Sequence, residues 1–310
     1  MADQIFVVGH KNPDNDSISA AVSYAYLKNA VEAKKPEVET EYIACCLGPL
    51  PQESATVLAQ VGLPVPRLID HVSAGDKVIL VDHNEATQMV DGIEEAEIVE
   101  IIDHHRLSGN VTTGNPILFL SIPVGSTATI VSKLYERLDV EITPAIATVL
   151  LSAIMTDTVM TKSPTCTDYD LVQAAMLGDI IGKVPTEFGL EVFKMRGGDN
   201  DMSVEEICSH DAKEFKSGDA VFLVAQHETV TLDVAMEREE AYREFLAQKV
   251  AENGYEFALL LVTDIFNEGS RFICVGDTDR VSKAFGIDAT KAEWVPGILS
   301  RKKQVIPPLS

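Results

Sequence analysis

Ile5-Phe6-Val7-Val8-Gly9-His10-Lys11-Asn12-Pro13-Asp14-Asn15-Asp16-Ser17 begins with four apolar β-formers and a glycine, followed by one histidine and two aspartates. The run reads as a buried strand ending in a loop of metal ligands. Ser17, ahead of Ile18-Ser19-Ala20-Ala21-Val22, reads as the N-cap of a helix. The acidic loop then lies at a strand-to-helix junction, where open α/β sheets build their sites. A polar turn plus a helix cap is the competing reading, because Asp, Asn and Ser favour such positions for local hydrogen bonding.

The pattern recurs downstream. Lys77 to Val81 is an apolar strand running into Asp82-His83-Asn84-Glu85, and Glu97 to Ile102 is another running into Asp103-His104-His105. Turn chemistry gives no reason for Asp and His to recur at three strand ends, so the three clusters together read as a metal site. Helices are expected from Ser17 to about Lys34, over Gln52 to Val61, and after a strand over Val38 to Ala44; the alternation signals a parallel sheet with crossover helices. Ile117 to Ser121 reads as a further strand. Helices follow over Ser126 to Leu138, Pro144 to Met155 and Asp168 to Ile181. The second of these is apolar nearly all round and should be buried. Asp157 stands at its end, where a carboxylate needs a partner and a cation is a natural one.

Arg196-Gly197-Gly198-Asp199-Asn200-Asp201 is polar and glycine-rich and reads as a hinge. Beyond it, strands are expected at Ala220 to Gln226, Phe257 to Thr263 and Arg271 to Val275, with a charged helix over Met236 to Asn253. No Asp/His strand end repeats there. Ser300-Arg301-Lys302-Lys303-Gln304 is a cationic run that reads either as a solvated tail or as an anion site. The apolar Val305-Ile306-Pro307-Pro308-Leu309 after it suggests a strand-like or packed ending. Lys213 alone reads as an exposed surface residue.

The chain has 310 residues, 46% of them apolar, with 25 Lys plus Arg against 48 Asp plus Glu and a formal charge of −23. Such a field repels polyanions, so a long nucleic acid is excluded as the expected substrate, while a small phosphate compound is compatible with a locally inverted field. Five cysteines without a C-x-x-C pair argue against a disulfide framework or a zinc knuckle. No apolar run is long enough for a bilayer and no signal-peptide pattern opens the sequence, so no membrane association and a cytoplasmic location are expected.

Gly9-His10-x-x-Pro13-Asp14-x-Asp16-Ser17, Val81-Asp82-His83-Asn84-Glu85, Asp103-His104-His105 and Ser300-Arg301-Lys302-Lys303-Gln304 occur in that order. In this the chain resembles the manganese-dependent (family II) inorganic pyrophosphatases of the DHH phosphoesterase superfamily, end to end. The resemblance implies an α/β fold with an N-terminal parallel-sheet DHH domain over 1–195. A hinge at 196–201 and a smaller mixed α/β, DHHA2-type domain over 202–310 would follow, in a homodimer. It implies one metal held by His10, Asp14 and Asp82 and a second by Asp16, Asp82, His104 and Asp157, with Asp82 bridging. It implies substrate contacts from His105, Lys213, Arg301 and Lys302, and less firmly from Lys303.

One imidazole among carboxylates suits Mn²⁺, with Co²⁺ as the alternative, better than Mg²⁺, and further Mg²⁺ or Mn²⁺ would enter with pyrophosphate. A shared Asp82 would keep two ions about 3.5–4 Å apart, close enough to activate one bridging hydroxide for in-line attack. Lys213, Arg301 and Lys302 would neutralise the phosphates on domain closure, with Arg301 suited to a bidentate contact. His105 would contact a bridging or leaving oxygen, and Asp103 and His83 would orient ligands. The rivals are another DHH phosphoesterase, acting on polyphosphate or small oligonucleotides and cyclic dinucleotides, and a metal-dependent nucleotide sensor. The Gly-Gly-His motif of the first and the inserted nucleotide module of the second are both lacking.

Overall fold

The computed structural model describes residues 3–37, 39–107, 109, 111–196, 202–209, 211–218 and 220–309. The chain falls into two compact units, 1–196 and 197–310. Within the hinge predicted at 196–201, only Arg196 lies among the described residues, where its Nε donates to Glu53 Oε1 at 2.9 Å.

The first unit runs β1 (Asp3–Lys11), α1 (Asn15–Glu32), β2 (Thr40–Leu47), α2 (Gln52–Val61), β3 (Arg67–Leu68), β4 (Lys77–Val81), β5 (Glu97–Asp103) and β6 (Leu118–Ser121). Four helices follow, α3 (Thr127–Arg137), α4 (Pro144–Asp157), α5 (Asp168–Ile181) and α6 (Pro185–Met195). The strands form one sheet in the order β3-β2-β1-β4-β5-β6, every pairing parallel. Val7, Val8, Ile79, Leu80, Ile101 and Ile102 are fully buried, as the near-continuous apolar runs of a covered parallel sheet require. The strand order reverses between β1 and β4, which opens a crevice beyond their carboxyl ends. Register brings the clusters together there: Val8 pairs with Leu80, Val81 with Ile102, and Asp82 N donates to Ile102 O at 2.9 Å.

Local chemistry corrects the helix start. Asp14, not Ser17, is the N-cap of α1, its Oδ1 accepting from Ser17 N at 2.9 Å. Ser17 instead turns its Oγ back to accept from His10 N at 3.0 Å. A Cβ on Gly9 would lie 2.0 Å from that Oγ, so the glycine is required by the close approach. β2 starts at Thr40 and runs on to Leu47; Val38, the expected start, lies outside the described residues. α4 is apolar all round because it packs against α1, α2, α3, α5 and α6.

The second unit contains α7 (Val204–Ser209), β7 (Ala212–Ser217), β8 (Ala220–Thr229), α8 (Leu232–Met236), α9 (Glu239–Asn253), β9 (Phe257–Asp264), β10 (Gly269–Gly276), α10 (Asp279–Phe285), β11 (Glu293–Pro296) and α11 (Ile306–Leu309). Its sheet has the order β11-β10-β9-β8-β7 and is mixed, with β8 and β9 parallel and the other pairs antiparallel. Alternate residues bury opposite faces: Leu223, Ala258, Leu260 and Ile273 pack with Tyr242 and Leu246 of α9, while Phe222, Phe257, Leu259 and Phe272 pack with Val281, Val305 and Leu309.

The charged helix expected over Met236 to Asn253 is α9, which starts at Glu239; Met236 instead ends the short separate helix α8. β9 does end in an aspartate, but Asp264 caps its own turn, accepting from Phe266 N and Asn267 N at 2.8 Å each. The chain ending is packed and helical rather than strand-like, because Val305 and Leu309 are buried and a π-turn over Arg301–Val305 leads into α11. Among the described residues no helix is long and apolar enough to cross a membrane.

Candidate metal centre

The crevice gathers every metal ligand expected from the sequence. His10, Asp14 and Asp82 form one group, Asp16, His104 and Asp157 a second, and Asp82, His104 and His105 a third, the donor atoms of each within 4.8 Å of one another. His10 Nε2 stands 3.5 Å from both Asp14 Oδ2 and Asp82 Oδ2. His104 Nε2 stands 3.4 Å from Asp82 Oδ1, 3.5 Å from Asp157 Oδ2 and 4.0 Å from Asp16 Oδ2. Most of these spacings are long for hydrogen bonds, yet donors that share an ion about 2.1 Å away lie about 3.0–3.5 Å apart. Asp82 thus turns one oxygen to each histidine.

The histidines are oriented for ligation. His10 Nδ1 lies 2.8 Å from Lys11 O and His104 Nδ1 2.9 Å from Val124 O. A carbonyl only accepts, so each Nδ1 carries the hydrogen and each Nε2 faces the carboxylates.

Charge explains why a cation belongs here. Burial, with the charges of Asp16 and Asp14, pushes Asp157 up to about 9, and burial with the Asp16 charge raises Asp82 well above the carboxylate range. Burial opposes a proton on His10, but Asp14 and Asp82 raise its pKa to about 11. Without a cation, protons therefore occupy the centre. Asp157 Oδ2 is buried with no hydrogen-bond partner, and so is His83 Nε2, whose ring burial brings down to about 4. The donor set and the orphaned oxygen fit a divalent cation of borderline softness.

Sequence reasoning missed the segment that holds these carboxylates. Ser126 caps α3, and Asp16 lies on that helix end: its Oδ1 accepts from Ser126 Oγ at 2.7 Å and Ala128 N at 2.9 Å, and its Oδ2 from Thr127 N at 2.6 Å. Thr127 Oγ1 donates to Asp82 Oδ1 at 2.8 Å. Fully buried Asp170 pins the segment, accepting from Gly125 N at 2.8 Å and Thr129 Oγ1 at 2.6 Å. The legible signal was the Thr167-x-x-Asp170 capping box of α5.

Asp103 and Asn84 steady the third cluster. Burial opposes ionisation of Asp103, but hydrogen bonds from His105 and Asn84 hold its pKa at about 2. His105 Nδ1 lies 2.9 Å from Asp103 Oδ1, so its Nε2 is left unpaired by this contact on a half-exposed ring. A cleft of about 350 Å³ opens here, lined by His10, Asp82, His83, Asn84, His105 and Arg106 among others.

In the second unit Lys213, Lys302 and Lys303 are exposed, as free cations should be. Arg301 differs from its expected open fork. It is buried, its Nη1 hydrogen-bonded to Asp211 O and its Nη2 2.7 Å from Asp211 Oδ1. The run is no solvated tail: Gln226 Oε1 accepts from Arg301 N at 3.0 Å and Gln304 Oε1 from Ser300 N at 2.9 Å. Arg301 Nη1 also reaches Val224 O on β8, and Val224 is the register partner of Lys213 on β7.

The model of the DHH family N-terminal domain matches residues 4–154, and that of the DHHA2 domain matches 190–310. The manganese-dependent inorganic pyrophosphatase of Methanothrix thermoacetophila is 38% identical, over 100% of this chain and 98% of its own length. The Archaeoglobus fulgidus "probable manganese-dependent inorganic pyrophosphatase" is 40% identical, over 98% and 97%.

This chain belongs to the manganese-dependent inorganic pyrophosphatases. A crystal structure titled as a Methanococcus jannaschii "putative family II inorganic pyrophosphatase" superposes with a TM-score of 0.65 at 37% identity, covering 98% of both chains. An exopolyphosphatase-related protein from Bacteroides fragilis, at 15% identity and a TM-score of 0.52, shares the fold. Pyrophosphatase-family membership thus accounts for both halves of the molecule.

Proposed function

We propose that this chain hydrolyses inorganic pyrophosphate to two phosphates with two divalent ions, Mn²⁺ or alternatively Co²⁺, and further Mg²⁺ or Mn²⁺ arriving with the substrate. The observation that carries the reading is Asp82, each of whose oxygens faces a different histidine–carboxylate group. One ion would be held by His10, Asp14 and Asp82 and the other by Asp16, Asp82, His104 and Asp157. Ions held by these residues would supply Lewis-acid activation of a water for attack at phosphorus. Thr127 and the start of α3 keep Asp82 and Asp16 aimed at that place. His105, steadied by Asp103, offers its Nε2 to a bridging or leaving oxygen.

Lys213, Arg301 and Lys302 of the second unit would neutralise the phosphates on the closure expected from the sequence, with Lys303 as a lesser contributor. Because Asp211 already occupies part of its donor set, Arg301 would contribute field and positioning as much as a direct fork. The homodimer reading finds support in β6, an edge strand that exposes Leu118 and Phe119.

Phosphate release from pyrophosphate, polyphosphate and a dinucleotide, each with Mn²⁺, Co²⁺ or Mg²⁺, tests the proposal. Pyrophosphate should be cleaved fastest, and low Mn²⁺ or Co²⁺ should activate the stripped protein better than equal Mg²⁺. Faster release from polyphosphate or the dinucleotide would overturn it.

A further inference from the structure

The cleft beside the carboxylates is lined by two cationic side chains, Lys11 and Arg106. They differ in what they touch. Lys11 Nζ lies 2.6 Å from Asp91 Oδ1, so its charge is paired. The Arg106 guanidinium is exposed and has no hydrogen bond or ion pair with any described residue. Acids are not scarce: the chain has 48 Asp plus Glu against 25 Lys plus Arg, and Glu85 lines the same cleft.

The Arg106 backbone, by contrast, is fixed. Asn84 Nδ2 donates to Arg106 O at 3.1 Å and to Asp103 Oδ2 at 2.5 Å. Asp103 in turn accepts from His105 N at 3.0 Å and contacts its Nδ1. One turn therefore sets both the His105 ring and the Arg106 Cα, while the guanidinium stays uncommitted. A planar guanidinium held at a cleft and left unpaired is suited to a phosphate, which it can grip with two parallel N–H donors.

We infer that Arg106 is a phosphate-binding residue of this cleft, supplied by the same unit that carries the carboxylate and histidine groups. The inference rests on the pyrophosphate reading, and it gives the phosphate an anchor that neither Lys213 nor the Arg301–Lys303 run provides. Its work is in binding, so it should show in KM more than in kcat.

The test compares wild type, Arg106→Ala and Arg106→Lys with pyrophosphate as substrate and inorganic phosphate as inhibitor. Bound manganese and melting temperature are read on the same samples. Arg106→Ala should raise KM and weaken phosphate inhibition by about tenfold each, with kcat changed less. Arg106→Lys, which keeps the charge and loses the fork, should fall between. Manganese content and melting temperature should match wild type in both. KM and phosphate inhibition within about twofold of wild type in Arg106→Ala would overturn the inference, as would loss of bound manganese. If wild type prefers polyphosphate, the substrate reading fails by itself, while inhibition by inorganic phosphate still decides whether Arg106 grips phosphate.

Discussion

At the carboxyl end of the parallel sheet, Asp16 and Asp82 are buried beside Asp14 and Asp157, whereas the second unit holds Lys213, Lys302 and Lys303 out in solvent. Both regions gather like charges. In the first, repulsion and burial drive protons onto Asp157 and Asp82 unless a cation enters. In the second, water screens the lysines, and they need no ligand to be stable. Buried like charge thus declares a partner through its own energetics. Exposed like charge declares one only through the reaction it serves, and among the described residues of that cationic region it is buried Arg301, paired with half-exposed Asp211, that is strongly organised.

Asp82→Asn is the sharpest attempt to break the contrast. The residue sits at φ 64, a conformation that Asn also tolerates, so the change removes charge with little backbone cost. Manganese content should fall at both groups and hydrolysis by on the order of 10³-fold or more. Two retained ions with near-normal turnover would show that Asp82 does not bridge.

Arg301→Ala combined with Lys302→Ala should leave metal content intact and lower kcat/KM by about 10²–10³-fold, the scale of lost charge stabilisation in a transition state. Activity within a few-fold of wild type would reduce the cationic run to a packing element.

The smallest effect is on stability against pH. A carboxyl with a raised folded pKa keeps a proton that the unfolded chain has released. For Asp157 the window runs from 3.8 to about 9, and stability falls as pH rises through it. His10, raised from 6.5 to about 11, acts in the same direction above 6.5. Asp103, held at about 2, contributes stability present above 3.8 and lost only as pH falls through about 2. In chelator, the melting temperature should therefore drop by a few degrees between about pH 5 and pH 8. Manganese should restore more of it at the higher pH, because the ions displace those protons. A melting temperature that rose across this range in chelator would contradict the account.

The sequence by itself determined the parallel sheet, the strand ends at His10, Asp82 and Asp103 to His105, and the buried α4 that delivers Asp157. Apolar runs, period and caps are local signals, and a strand's last residues follow from where its run stops. Only the tertiary structure decided that Asp14 both caps α1 and faces His10, because the two oxygens of one carboxylate can divide between a backbone amide and a site. It also decided that Ser126 and Thr127, 110 and 111 residues beyond Asp16, hold that carboxylate. The burial of Arg301 against Asp211, 90 residues earlier, belongs to the same class. Those pairings depend on the order β3-β2-β1-β4-β5-β6 and on the register of the mixed sheet. Strand order and register are set by packing over the whole chain, and no local stretch of sequence encodes them.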